Sequence, residues 1–138
     1  MEYVIGAVLA LAAAGTATAI GFDRERVFYP TLLIVIATYY VLFAATGYSM
    51  RNSSEQVVLL ESLVAAGFLL VAFLAFKISL WLAVAGFIGH GIFDFVHDHF
   101  VNNPGVPPWW PGFCLAFDVV AGGFLAVLLI RRASLTTR

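Results

Sequence analysis

Long apolar runs separated by short polar stretches organise this 138-residue chain. The runs cover approximately Tyr3 to Phe22, Val27 to Tyr48, Val57 to Phe76, Leu80 to Val101 and Gly112 to Ile130. Each is close to the about 20 residues that a helix needs to cross a hydrocarbon core of about 30 Å. The breaks are DRER (Asp23 to Arg26), SMRNSSEQ (Ser49 to Gln56), KIS (Lys77 to Ser79) and NNPGVPPWWP (Asn102 to Pro111). Connections this short predict an all-α, polytopic membrane bundle of five antiparallel transmembrane helices, occupying the whole chain as a single integral membrane domain. The third and fourth runs, parted only by KIS, are read as two spans. Fused, they far exceed one crossing and would leave Lys77 at mid-membrane without a partner.

Composition strengthens this picture. The chain is 62% hydrophobic and 11% charged, with a mean hydropathy of +0.99, against about 45–50% apolar and about 25% charged residues in soluble domains. A net charge of -1 makes no electrostatic case for nucleic acid. A single cysteine, Cys114, excludes an internal disulfide or a four-cysteine metal site. No pattern indicates an organic cofactor.

Charge distribution sets the expected orientation. One side of the five-span arrangement collects Arg24, Arg26, Lys77, Arg131, Arg132 and Arg138, whereas the other has only Arg51. Cytoplasmic loops retain positive charge, so the N-terminus is expected outside and the C-terminus in the cytoplasm. Thr16 to Ala19 resembles a small-residue cleavage site, but Met1-Glu2-Tyr3 lacks a positive n-region, which favours an uncleaved helix. Trp109, Trp110 and Tyr48 then fall at the outer interface and Trp81 near the inner one.

Against this background one stretch stands out: GHGIFDFVHDHF, residues 89 to 100, holds all three histidines of the chain. Counting about 1.5 Å per residue from the outer edge, His97 lies about 6 Å deep, Asp94 about 10 Å and His90 about 16 Å. Glu61 of the third span and Asp118 of the fifth come to about 6 Å and about 9 Å, so three helices bring polar groups to one level. At 100° per residue, His90, Asp94 and His97 share a stripe of about 60°, which Gly86 continues inward. Asp98 and His99 read as the solvated end of the helix. Cys114 shares a face with Asp118, with Ala121 and Gly122 following, and reads as a small packing residue. Ser62, Tyr39 and Tyr40 read as packing residues with a possible donor role toward substrate.

No Lys or Arg lies at the depth of Glu61, Asp94, Asp98 and Asp118, and several kcal/mol oppose each unpaired ion there. Protons, a cation or a metal must neutralise the cluster. Two imidazoles with two or three carboxylates can ligate a divalent zinc, iron or manganese ion. Equally, the histidines can be protonated and pair with the carboxylates, or the groups can only bridge helices by hydrogen bonds. The Pro-rich loop before Pro111 reads as a tight helical hairpin with an aromatic anchor, or as a rigid lid if the cluster is a site. Asn102 or Asn103 is expected to cap the fourth helix.

HGIFDFVHDHFVNNPGVPPWWPGFCLAFDVVAGG, from His90 to Gly123, resembles the signature half of an uncharacterised family of small bacterial integral membrane proteins, of the pattern HGxxDxxH, a Pro-rich linker and WWPxFCxxxD. That resemblance implies a multi-pass helical protein of the bacterial inner membrane and supplies no activity. A weaker similarity is to membrane hydrolases of the ceramidase and lysoplasmalogenase kind, which set Ser, His and Asp residues around a zinc. This chain departs from them in having fewer helices and a different histidine spacing.

The expectation is a membrane-embedded metal-dependent hydrolase of a lipid or amphipathic substrate. His90, Asp94, His97 and Asp118 are the expected ligands, and Glu61 is the general base or a further ligand. The alternatives are a proton- or cation-coupled transport or channel element, which with so few spans requires a homo-oligomer, and an accessory subunit of a larger membrane assembly. A proton relay should continue toward the inner side, where the spans offer only Tyr39, Tyr40, Thr38 and Thr16.

Overall fold

The computed structural model describes residues 1–24 and 26–136, with the backbone alone at 136. It contains helices α1 (Glu2–Ile20), α2 (Phe28–Ser49), α3 (Glu55–Lys77), α4 (Trp81–Phe100) and α5 (Trp110–Thr136), with a 3-10 turn at Phe22–Arg24. No strand occurs among the described residues. The third and fourth apolar runs are two helices, divided at Ile78–Leu80. Helix α5 continues beyond the apolar run to Thr136. Arg138, counted above on the basic side, lies outside the described residues.

Local sequence explains the helix ends. Gly21 terminates α1 with a φ of 84°, a left-handed conformation that costs glycine little. Ser54 caps α3, its hydroxyl accepting from the Val57 amide. Pro111 sits in the first turn of α5, where its missing N–H costs no helical hydrogen bond.

Helices α1, α2, α3 and α5 are long and apolar enough to cross a membrane. Helix α4 has comparable length but does not reach the same hydropathy, because it carries His90, Asp94, His97, Asp98 and His99. Its outward face carries Ile92 and Phe95, 57% and 68% exposed, whereas His90, Asp94 and His97 are buried. Bulky apolar side chains such as Leu11, Leu63 and Leu70 also point outward from the bundle. With no water in a bilayer core to penalise them, outward leucines and inward carboxylates are the arrangement a membrane protein requires.

Packing runs from α1 to α5, from α5 to α4, from α4 to α3 and from α3 to α2. Small residues permit the closest approach. Gly6, Ala10, Ala14 and Ala17 of α1 are buried, and a Cβ on Gly6 would sit 2.3 Å from the Phe113 carbonyl oxygen of α5. Gly86 accepts Leu33 of α2 in the same manner, and Gly122 lies against Phe87 of α4. Helices α1 and α2 have no comparable interface and join chiefly through the 3-10 turn, so the bundle is open along that seam.

Basic residues gather at the end of the bundle opposite Trp109 and Trp110. There Arg132 of α5 donates to the Asp23 carboxylate at 2.6 Å and to its carbonyl at 3.0 Å, fastening the α1–α2 connection to the last helix. Arg26 donates to the Ala75 carbonyl of α3. Between this end and the polar cluster lies the apolar core, with Tyr29, Leu33, Phe87 and Leu125 fully buried.

Candidate functional site

Helix α4 supplies the centre of the site. His90 and Asp94 are one turn apart, so their side chains meet on the buried face. Asp118 approaches from α5 across Gly91, where a Cβ would stand 3.2 Å from the Asp118 Cβ. His90 Nδ1 is 2.8 Å from Asp118 Oδ2 and 3.1 Å from Asp94 Oδ2. Only the Asp118 contact is a formed hydrogen bond, with the imidazole N–H donating to a carboxylate that can only accept. Donor atoms of all three residues fall within 4.8 Å of one another.

His97 belongs to a second group. Two turns beyond His90, its Nε2 donates to Glu61 Oε1 of α3 at 2.8 Å. Asn103, in the loop after α4, donates from Nδ2 to the same Glu61 oxygen at 2.8 Å and to the Tyr40 carbonyl at 3.2 Å. Its Oδ1 accepts from Gly105 N, forming a local turn that aims the amide inward. Gly105 in turn lies against α2, where a Cβ would be 2.3 Å from the Phe43 carbonyl oxygen. The loop therefore closes over the cluster and contributes a side chain to it.

Tyr40 of α2 joins the two groups. Its ring lies 4.2 Å from the His97 ring and 6.4 Å from that of His90, centroid to centroid. Phe68 meets His90 edge-on at 4.7 Å and Phe93 meets His97 at 5.5 Å, so aromatic walls keep the surroundings of low polarity.

The cluster is rich in unused acceptors. Glu61, Asp94 and Asp118 are each at most 1% exposed. Glu61 Oε2, both Asp94 oxygens and Asp118 Oδ1 have no hydrogen-bond partner, and neither has the Tyr40 hydroxyl. None of the ion pairs formed by these carboxylates involves a lysine or arginine. Buried carboxylate oxygens without partners are costly, so this composition calls for bound cations or protons.

Three of the four expected ligands, His90, Asp94 and Asp118, thus converge, while His97 turns to Glu61. Asp98, whose side chain is 80% exposed, meets the cluster only at its rim, its Oδ1 3.4 Å from His97 Nδ1, and the exposed His99 lies outside it. Ser62 donates to the Val58 carbonyl within its own helix. Cys114 is buried one turn before Asp118. The expected capping role of Asn103 is not seen: α4 ends at Phe100 with Val101 as its C-cap, and Asn103 reaches the interior. Tyr40, read as packing, also faces both histidines. An asparagine opening an N-P-G turn directly after a polar helix face is the available signal for Asn103.

Comparison with known proteins returns no match to a family model, a curated protein or a solved structure.

Proposed function

We propose that this protein is a membrane-embedded, metal-dependent hydrolase of a lipid or other amphipathic substrate, with His90, Asp94 and Asp118 as the metal-holding residues. The observation that carries the reading is the convergence of one imidazole nitrogen and two carboxylates, with three unpartnered oxygens on Asp94 and Asp118 and no lysine or arginine in their ion pairs. Donors sharing one ion at bond lengths of about 2.1 Å stand about 3.0–3.4 Å apart. The 3.1 Å separation of His90 from Asp94 lies within that range, and the 2.8 Å separation from Asp118 falls just short of it. A mixed nitrogen and oxygen donor set suits zinc, iron or manganese.

A divalent ion held there would supply Lewis acidity and ease the deprotonation of water. In this reading Glu61 takes the role of proton acceptor: His97 and Asn103 anchor its Oε1, and its buried Oε2 has no hydrogen-bond partner. Tyr40 offers a hydroxyl donor between the two groups. The apolar layer of Tyr29, Leu33, Phe87 and Leu125 interrupts any polar route to the basic end, which favours local chemistry over transport. The same reading counts α4 as a span, which makes five, with the N-terminus external and the bacterial inner membrane as the location.

Elemental analysis of detergent-solubilised protein prepared without chelators tests the reading. About one divalent ion per wild-type chain is expected, lost in His90→Ala and retained in Glu61→Gln. A wild-type protein that carries no ion, even after incubation with zinc, iron or manganese, would rule the reading out.

A further inference from the structure

The polar cluster lies buried, so whatever occupies it has to be let in. Glu61, His90, Asp94, His97 and Asp118 are each at most 2% exposed. Toward the basic end the apolar core of Tyr29, Leu33, Phe87 and Leu125 intervenes. Sideways, Phe68 and Phe93 stand against the two histidines, and the groove along the open α1–α2 seam is lined by Ile5, Leu9, Phe117 and other apolar side chains. An ion would lose its hydration along such walls without compensation. The remaining side is the tryptophan end, where the loop between α4 and α5 lies across the cluster.

Outside that loop is a hollow of about 460 Å³ with a largely polar lining: Arg51, Asn52 and Ser54 of the α2–α3 connection, Val57 of α3, and Asn102 and Pro104 of the loop itself. Two of its walls adjoin the cluster. Val57 is one turn before Glu61 on α3. Asn103, between Asn102 and Pro104, turns its side chain the other way, into the interior. The polar fastening of the loop is slight. Among the described residues, the only hydrogen bonds from residues 101–109 to a different helix are the two that Asn103 Nδ2 donates, to Glu61 Oε1 at 2.8 Å and to the Tyr40 carbonyl at 3.2 Å. Its other bonds are local, such as those that Gly105 N and Val106 N donate to Asn103 Oδ1 and the Asn103 carbonyl. Pro104, Pro107 and Pro108 restrict the backbone, which suits the segment to moving as one piece.

We infer that Asn103 is the latch of a gate at the tryptophan end. When its amide leaves Glu61 and the Tyr40 carbonyl, the hollow joins the cluster, and water and cations pass between the aqueous side and the site. Calling the admitted cation a catalytic metal rests on the function proposed above; the gate itself does not.

Exchange kinetics of the full chain in detergent test the inference, with zinc alone as the probe, loaded from solution and withdrawn by excess EDTA. Asn103→Ala should raise both rates about 10- to 100-fold, the value of a hydrogen bond to a charged group, and change zinc affinity by less than about threefold, because a gate acts on entry and exit alike. Asn52→Trp, at an exposed position of the opposite wall, should fill the hollow and slow both rates several-fold. Leu63→Trp, exposed on α3, is the control and should exchange as wild type does. Opposite shifts in the first two variants, at unchanged helicity by circular dichroism, separate gating from loosened folding, which can only quicken exchange. Faster extraction without faster loading in Asn103→Ala, or exchange in Asn52→Trp no slower than wild type, would overturn the inference. Silver ion gives a second arm that needs no bound zinc. Cys114 lies one turn before Asp118 on α5, within electrostatic reach of Asp94 and Asp118. Its reaction with silver, which forms an S–Ag bond and releases the thiol proton, should follow the same order of rates, read by mass spectrometry against a Cys114→Ala blank. If the wild-type protein binds no zinc, the enzymatic reading falls and the silver rates decide the gate; equal silver rates in all variants would overturn it.

Discussion

Gly91 offers a direct test of whether the spacing between α4 and α5 sets the proposed metal site. In Gly91→Ala the new methyl group would lie 3.2 Å from the Asp118 Cβ and 3.4 Å from the Leu115 carbonyl oxygen. Comfortable carbon contacts are about 3.5–4.0 Å, so the helices must part locally by about 0.3–0.8 Å. The 2.8 Å contact between His90 and Asp118 crosses that same interface. Metal-ligand distances tolerate only about ±0.2 Å, and the expected loss of metal affinity is about 10- to 100-fold. Stability should respond less, because replacing a helical glycine gains about 0.5–1 kcal/mol against an overpacking cost of about 1–3 kcal/mol. Gly89→Ala is the matched control on the same helix, since a Cβ there meets nothing within 4 Å. It should keep wild-type affinity and gain up to about 1 kcal/mol. The assay is competition with a chelator of known affinity, run beside thermal denaturation. Equal metal affinity in the two alanine variants would refute the claim that the Gly91 contact positions Asp118.

Two further substitutions separate the remaining parts of the cluster from the frame that holds them. Asn103→Ala should lower stability by about 1–3 kcal/mol by removing a donor from buried Glu61 and from the Tyr40 carbonyl, yet leave the metal content unchanged; thermal denaturation with elemental analysis checks both. Arg132→Gln should also cost about 1–3 kcal/mol by removing the cation from the buried Asp23 carboxylate, again with metal retained because the clip lies at the opposite end of the bundle; the same pair of measurements decides it.

The first four helices begin and end within about two residues of the apolar runs, because in this chain the polar breaks coincide with the turns. Helix α5 outruns its apolar segment because Arg131, Arg132 and Ala133 are adequate helix formers with no breaker after them. Hydropathy marks where lipid contact ceases, which need not be where the helix ceases. The inward face of α4 was equally legible, since periodicity groups His90, Asp94 and His97 and turns His99 away, while the position of Asp98 near the helix end sets it apart. How those residues pair was not, because pairing depends on the rotation of α3 and α5 about their own axes. One limit was nevertheless available from spacing: His90 and His97 are two turns apart, about 10 Å along the axis, too far for both to serve one ion together with Asp94 without distortion.

The difference between the four helices apolar enough to cross a membrane and the five spans expected comes from the same physics. A hydropathy average weighs every side chain of α4 alike, although only its outward residues would meet lipid. Ile92 and Phe95 on that outward face are apolar, whereas His90, Asp94 and His97 are buried and only Asp98 and His99, at the helix end, are exposed and polar. A helix that carries a site inside a bundle therefore loses apparent hydrophobicity in proportion to the chemistry it holds. The groove along α1 and α2 was hidden for the converse reason: its lining is as apolar as the lipid-facing surface, and only the arrangement of three helices distinguishes the two.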